Sequence, residues 1–367
     1  MNEYPLLLRS TIRLAFAFLL VAALILTKHL LIPLFLSVML AYLLFPYADW
    51  LEKHKIPRIL TNLIVVLGFI AIITGVVILI GTLSSNFTQD FPKIKEQFEV
   101  NFENILESIA AFTGIQAINI DSILRDIGET GEYLSQLFTA TTNTILSLGL
   151  LPVYTFLILF YRDKFRDFIS MLIHNEQEEN AQKIIDQASE VVPKYLKGLV
   201  IVCVILIGIN SLGFYLIGLE YALLFGIIAA LFNLIPYLGT ILGYGVVLLF
   251  VLGTQSPALA FAVLIQFFIV QFVENNILTP NITGSYVEIN PLVIIFSLIG
   301  AGMIWGLPGM LIIMPYLGLF KIMCENIESL KPIGFLLGTK GTERHSITIK
   351  SLQRRFGWLD EDERNED

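Results

Sequence analysis

From Gly198 to Phe320 the chain contains no Lys or Arg, and its only charged residues are Glu220, Glu274 and Glu288. A water-soluble core of that length needs basic side chains on its wet faces, so these faces must meet hydrocarbon or a buried pore. Only 15% of the whole chain is charged, against ~25% in an ordinary soluble domain. The expected class is all-α: a polytopic α-helical membrane protein with the lipid bilayer as its main partner.

Glu274 is the residue that demands a reason. It follows the apolar run from Ala258 to Val273 and sits with Gln271, Asn275 and Asn276, just before Pro280. An acid at that depth is costly and usually faces a bundle interior or an aqueous path. The plainer reading is that these polar groups reach the interface or bond a neighbouring helix.

Read in order, Arg9 and Arg13 precede an apolar run from Leu14 to Thr27, and Lys28 and His29 separate it from a second, Leu30 to Phe45. Joined as one helix these runs are too long for a bilayer, so a hairpin is expected. A span follows from Ile59 to Leu83. Beyond it Phe91, Ile94, Phe98, Phe102, Ile105, Ile109 and Phe112 recur at steps of three and four, which predicts an amphipathic helix. Asp121 is expected to cap a second one. Their apolar stripes could pack on each other, on the membrane surface or on a neighbouring subunit. The span from Thr144 to Tyr161 carries Pro152, a place for a kink. The hydrophilic segment from Arg162 to Lys197 is read as cytoplasmic or interfacial helices.

Basic residues gather at Arg9 and Arg13, at Lys53, Lys55 and Arg58, from Arg162 to Lys197, and in the tail from Lys321, whereas residues 84–139 carry three basic and nine acidic residues. The positive-inside rule puts the basic segments, with both termini, in the cytoplasm and the acidic insertion outside. The expected layout is N-terminal membrane segments (1–83), an extracytoplasmic helical insertion (84–139), a span with cytoplasmic or interfacial helices (140–197), a transport core (198–324) and a cytoplasmic tail (325–367).

The core repeats one pattern. The span Leu199 to Ile217 precedes a stretch, Tyr221 to Gly253, broken by Asn233, Pro236, Gly239, Gly243 and Gly245. The span Ala258 to Ile277 precedes another, Pro291 to Met323, broken by Gly300, Gly302, Gly306, Pro308 and Gly309. Each broken stretch is either two short crossings or one re-entrant hairpin, giving about eight to ten membrane segments. A span plus a broken hairpin, entering first from outside and then from inside, is the pattern of an inverted repeat. Unwound peptide groups need protein or water around them, so the two breaks are expected to approach one another around a polar cavity lined by Glu274. The opposing view is that Gly and Pro merely allow close packing. The candidate substrate- or ion-binding set is Glu274, Gln271, Asn275, Asn276, Asn233, Pro236, Gly239, Pro280, Asn290 and Pro308, with no metal ligands. Without a fixed cation in the core, small polar solutes, monovalent cations or protons are favoured over anions.

These blocks resemble a known family. Ala41-Tyr42-Leu43-Leu44-Phe45-Pro46, Tyr161-Arg162-Asp163-Lys164, Tyr195-Leu196-Lys197-Gly198, Asn233-Leu234-Ile235-Pro236-Tyr237-Leu238-Gly239, the run Gln271 to Pro291, Gly306-Leu307-Pro308-Gly309 and Pro315 are similar to the autoinducer-2 exporter family of membrane proteins. Thr240, Gly245 and Leu199 depart from its usual residues. The resemblance implies export of a small furanone-like signal, as in some members, or sodium or lithium/proton antiport, as in others. It also implies a homo-oligomer, with a pentamer as the expected form.

Other classes are less well supplied. Gly334 to Lys340 has the wrong spacing for a P-loop, and Gly341 stands where Ser or Thr is needed. His29, His54, His174 and His345 lie outside the core and form no metalloprotease motif. Cys203 and Cys324 sit in apolar segments, as small hydrophobes rather than disulfide partners. No removable signal peptide is expected. The reading is a gradient-driven exporter with no cofactor and no nucleic-acid partner, not an enzyme. The alternatives are an antiporter using Glu274, then an uncoupled channel or membrane scaffold.

Overall fold

The computed structural model describes residues 6–113, 149–172, 178–283 and 289–339. The helices are α1 (Leu6–Leu26), α2 (Lys28–Lys53), α3 (Arg58–Thr113), α4 (Leu150–Phe160), α5 (Arg162–Leu172), α6 (Glu178–Ile217), α7 (Ala222–Phe232), α8 (Leu238–Thr254), α9 (Pro257–Val273), a π-helical stretch Glu274–Thr283, α10 (Pro291–Asn326) and α11 (Lys331–Leu337). Among the described residues five helices are long and apolar enough to cross a membrane, and four shorter apolar helices accompany them. Their outward faces carry bare aromatic rings, such as Phe261, Phe268 and Phe272 on α9, which water would not tolerate in such a density. This is a multi-pass helical membrane protein.

The hairpin expected between the first two apolar runs is not formed. Only Thr27 separates α1 from α2, at φ −94°, ψ 9°, and its backbone N–H still reaches Ala23 O while its own carbonyl accepts from Leu30 and Leu31. Lys28 and His29 change the polarity there but offer neither Gly nor Pro to reverse the chain, so the helix only bends.

Two expected boundaries fall inside continuous helices. α3 runs through position 84 for 56 residues, and α6 runs through position 198 for 40. A change from apolar to polar sequence alters a helix's surroundings without by itself ending it. Pro152 lies in the first turn of α4, where its missing N–H is not needed. The capped helix expected at Asp121 lies outside the described residues.

The amphipathic part of α3 finds a partner that was not expected, the chain's own α7–α8 pair. Tyr221 OH donates to Asp90 Oδ2 at 2.6 Å, and Asn101 Nδ2 donates to Gly253 O at 3.0 Å. Phe87 stands edge-on to Tyr221 and Phe225. Phe98 fills the space that a Cβ on Gly253 would need, and Ile94 joins the core with Val247, Phe250 and Val251. Tyr221 and Gly253 mark the two open ends of the α7–α8 pair, so this arm grips both.

At the opposite end of α3, Arg58 donates to Asp163 at 2.6 Å. Nearby, Arg162 donates to Glu52 at 2.5 Å and lies over the Phe45 ring. The Arg58 hydrogen bond, helped by the charges of Arg58, Arg162 and Arg166, holds the Asp163 carboxyl below its usual range. A lowered carboxylate pKa stabilises above the unfolded value and is lost as pH falls through the folded one. Amide exchange in α5 should therefore rise modestly below about pH 4, the effect being small at an exposed pair. An Asp163→Asn variant with the same acid response as wild type would count against this.

Both broken stretches are helical hairpins. In the first, α7 and α8 pack so closely that a Cβ on Gly243 would lie 2.9 Å from Ala229 Cα. In the second, Gly306 at φ 63°, ψ −145° divides α10 into 291–305 and 307–326. A Cβ on Gly309 would lie 2.3 Å from Ala301 O, a contact that a straight helix could not make across eight residues. The hairpins open toward opposite ends of α6. Tyr221, which opens the first, follows the C-terminal end of α6, whereas Asn326, which closes the second, donates to Gln187 near the N-terminal end at 2.8 Å.

Candidate functional site

The tip of the first hairpin is made by sequence that cannot stay helical. Pro236 cannot donate a backbone hydrogen bond and disfavours helix in the residue before it. At Tyr237 the backbone takes φ 62°, ψ −56°, and Leu238 N donates to Pro236 O at 2.7 Å. This three-residue γ-turn with positive φ is a strained form. Gly239 then passes so near the end of α7 that a Cβ would sit 1.7 Å from Phe232 O.

The tip presents Asn233 to Glu274. Asn233 Nδ2 donates to Glu274 Oε1 at 2.5 Å, and Gln271 Nε2 donates to Oε2 at 2.6 Å. Thr240 Oγ1 donates to Asn233 Oδ1 at 2.8 Å. Among the described residues Glu274 is the one charged residue classed as buried, at 9% exposed. A carboxylate is a pure acceptor, and here each oxygen has an amide donor. Inside a low-dielectric bundle such charge-assisted bonds are the strong kind.

Glu274 stands where α9 passes into the π-helical stretch, and the sequence explains that widening. Pro280 has no N–H to offer and would clash with the carbonyl four residues back in an α-helix. Asn276 Nδ2 takes Phe272 O at 2.9 Å and Asn281 Nδ2 takes Ile277 O at 2.7 Å. Side-chain amides thus help satisfy carbonyls along the altered turns, and wide turns of this kind are frequent at functional sites.

A second polar group lies further along the same faces. Tyr244, one turn beyond Thr240 on α8, donates to Asn210 Oδ1 at 2.5 Å, and Gln266 Nε2 donates to Asn210 O at 3.1 Å. Asn210, Tyr244 and Gln266 are all buried. Gly213 makes room for the Gln266 amide, since a Cβ there would lie 2.3 Å from Nε2.

Of the expected residues, Glu274, Gln271 and Asn233 converge, while Pro236 and Gly239 shape the turn that brings Asn233 in. Asn275, Asn276 and Pro280 are exposed on the other side of the π-helical stretch. Asn290 caps α10, its Oδ1 accepting from Leu292 N at 3.0 Å. Pro308 lies at the second hairpin's tip, and that tip does not join the Glu274 group. It is seated on the first two helices instead: Trp305 Nε1 donates to Leu24 O at 2.9 Å, and Phe35 packs at a tilt against Trp305 and edge-on against Tyr316. The expectation that the two breaks meet is corrected accordingly. The second tip carries aromatic and aliphatic groups and finds an apolar seat, whereas the first carries an amide and finds the acid. Sequence reading marked Thr240 only as a departure from the family's usual residue and passed over Asn210, Tyr244 and Gln266. The two amides carried the signal that picked out Glu274, a polar side chain inside an apolar run; Tyr244 carried none.

Comparison with known proteins bears on this arrangement. The family described as AI-2E family transporter matches residues 14–329. YrrI of Bacillus subtilis (strain 168), provisionally named a transport protein, is 27% identical over 305 residues, covering 81% of this chain and 86% of that protein. YueF of the same organism, similarly named, is 28% identical over 322 residues, covering 81% of this chain and 84% of its own length. The AI-2 transport protein TqsA of Escherichia coli (strain K12) is 23% identical over 319 residues, 86% of this chain and 91% of that protein.

Proposed function

Because this chain belongs to the AI-2E family of transporters, we propose that it exports a small, neutral, hydroxyl-rich solute of the autoinducer-2 type, bound at Glu274. The observation that carries this reading is the pairing of one buried carboxylate with two amides, Asn233 from a hairpin tip and Gln271 from α9. Hydroxyl groups are both donors and acceptors. A passenger can therefore donate to Glu274 in place of the amides, while the freed amide N–H groups of Asn233 and Gln271 turn to its oxygens. An anion gains nothing there, since the stretch from Gly198 to Phe320 holds no fixed cation.

Several features support the route. α7 has 11 residues, a length of about 16 Å against a hydrocarbon core of ~30 Å, which suits a re-entrant hairpin better than a crossing. The basic segments that flank α3, α5 and the tail favour the cytoplasm for those parts. With that orientation the first hairpin enters from outside and hands Asn233 to Glu274 within the bundle, and an ion or proton gradient supplies the energy.

The test is counterflow of radiolabelled autoinducer-2 in proteoliposomes under imposed pH and sodium gradients, wild type against Glu274→Gln. Hydrogen bonds to a charged group contribute roughly 1.5–3 kcal/mol, so transport should fall about 10- to 150-fold. Equal transport by both proteins would overturn the reading. Proton release driven by sodium without solute movement would replace it with antiport.

A further inference from the structure

Thr240 has a hydroxyl in a helix that is otherwise apolar at that level, and that hydroxyl is bonded to Asn233. An asparagine amide has two faces of similar shape and opposite polarity. Turned one way it offers Nδ2 to Glu274; turned the other it offers Oδ1, and two acceptors then confront each other. The carboxylate favours the first arrangement, but a neutral form of Glu274 or a bound solute would accept either. Thr240 donates to Oδ1 at 2.8 Å, and this leaves Nδ2 as the group that points at Glu274 Oε1.

The backbone allows the contact. Gly239, the residue before Thr240, lies so close to the end of α7 that its Cβ would come 3.2 Å from Asn233 Cα. The first turn of α8 is thereby drawn onto Asn233, and the hydroxyl reaches its oxygen. We infer that Thr240 is a positioning residue for the Glu274 site: the acceptor-only carboxylate takes Nδ2, and the Thr240 hydroxyl, bonded to Oδ1, holds the Asn233 amide there as a second donor. It deepens the proposed function by naming what sets the donor pattern that a passenger must match, and it rests on that reading only for its transport arm.

Thr240→Val keeps the shape and removes only the hydroxyl; Thr240→Ser keeps the hydroxyl and removes only a methyl group. The first measurement does not need a passenger. The carboxyl band of Glu274 is isolated as the infrared difference between wild type and Glu274→Gln, and its frequency reports how many donors the group holds. That band is expected to shift in Thr240→Val and to return to its wild-type position in Thr240→Ser. In the proteoliposome assay with radiolabelled autoinducer-2, Thr240→Val should raise KM about threefold to tenfold, the loss of one hydrogen bond, with the maximal rate within about twofold of wild type. A band unmoved in Thr240→Val, or moved equally in both variants, overturns the inference. Should no variant carry autoinducer-2, the proposed function fails while the infrared result still decides the role of Thr240.

Discussion

Gly239→Ala is expected to leave the protein unable to close its first hairpin. The added methyl carbon would lie 1.7 Å from Phe232 O and 2.5 Å from Phe232 C, and both are backbone atoms at the end of α7. No side chain can swing aside to relieve the overlap, so α7 and α8 must separate. Overpacking in a well-filled interior costs roughly 1–3 kcal/mol, occasionally more, and a clash with main chain belongs at or above the top of that range. The folded, monodisperse fraction in detergent should fall sharply, and any protein that survives should lack transport, because Asn233 no longer reaches Glu274. Gly245→Ala is the matched control: nothing lies within 4 Å of its Cβ position, so it should behave as wild type or slightly better. Similar losses from both substitutions would show that close approach at Gly239 is not the cause.

Gly306→Ala should damage the second hairpin by a different route. There is open space around the position, so packing cannot object. The backbone does: φ 63° with ψ −145° is a conformation confined essentially to glycine, and a side chain there costs of order 1–3 kcal/mol. The thermal midpoint of the purified protein should drop, and alanine should be nearly as harmful as a larger residue, since the strain is set at Cβ. A graded loss with side-chain size, or none with alanine, would sink this account.

The two substitutions also mark how far the chain could be read without coordinates. A long stretch free of Lys and Arg fixed the membrane class, because no arrangement of such residues can cover itself with water. Clustered Gly and Pro gave both hairpins, since each breaks a helix for a local reason. The same logic singled out Glu274, Gln271 and Asn233, which the fold brings into hydrogen-bond contact. What was hidden is non-local. The stripe containing Ile94 and Phe98 announced that α3 needs a partner but not that the partner is α7–α8. Lys28 and His29 looked like a turn because charge implies water, yet nothing there ends a helix. Asn290 was grouped with the Glu274 set, and its side chain caps α10. Pro308 stood at the right kind of break, but which surface a tip meets depends on a helix far away in sequence.

α6 has a further consequence. Its 40 residues make a rod about 60 Å long, with the foot of one hairpin against Gln187 and the root of the other just past Ile217. Pro193 interrupts its hydrogen bonding between those two attachments. A swing of five degrees about that point, roughly 36 Å from Ile217 by helical rise, carries the far attachment about 3 Å. Both hairpins of the core thus attach to one rod, on either side of its proline.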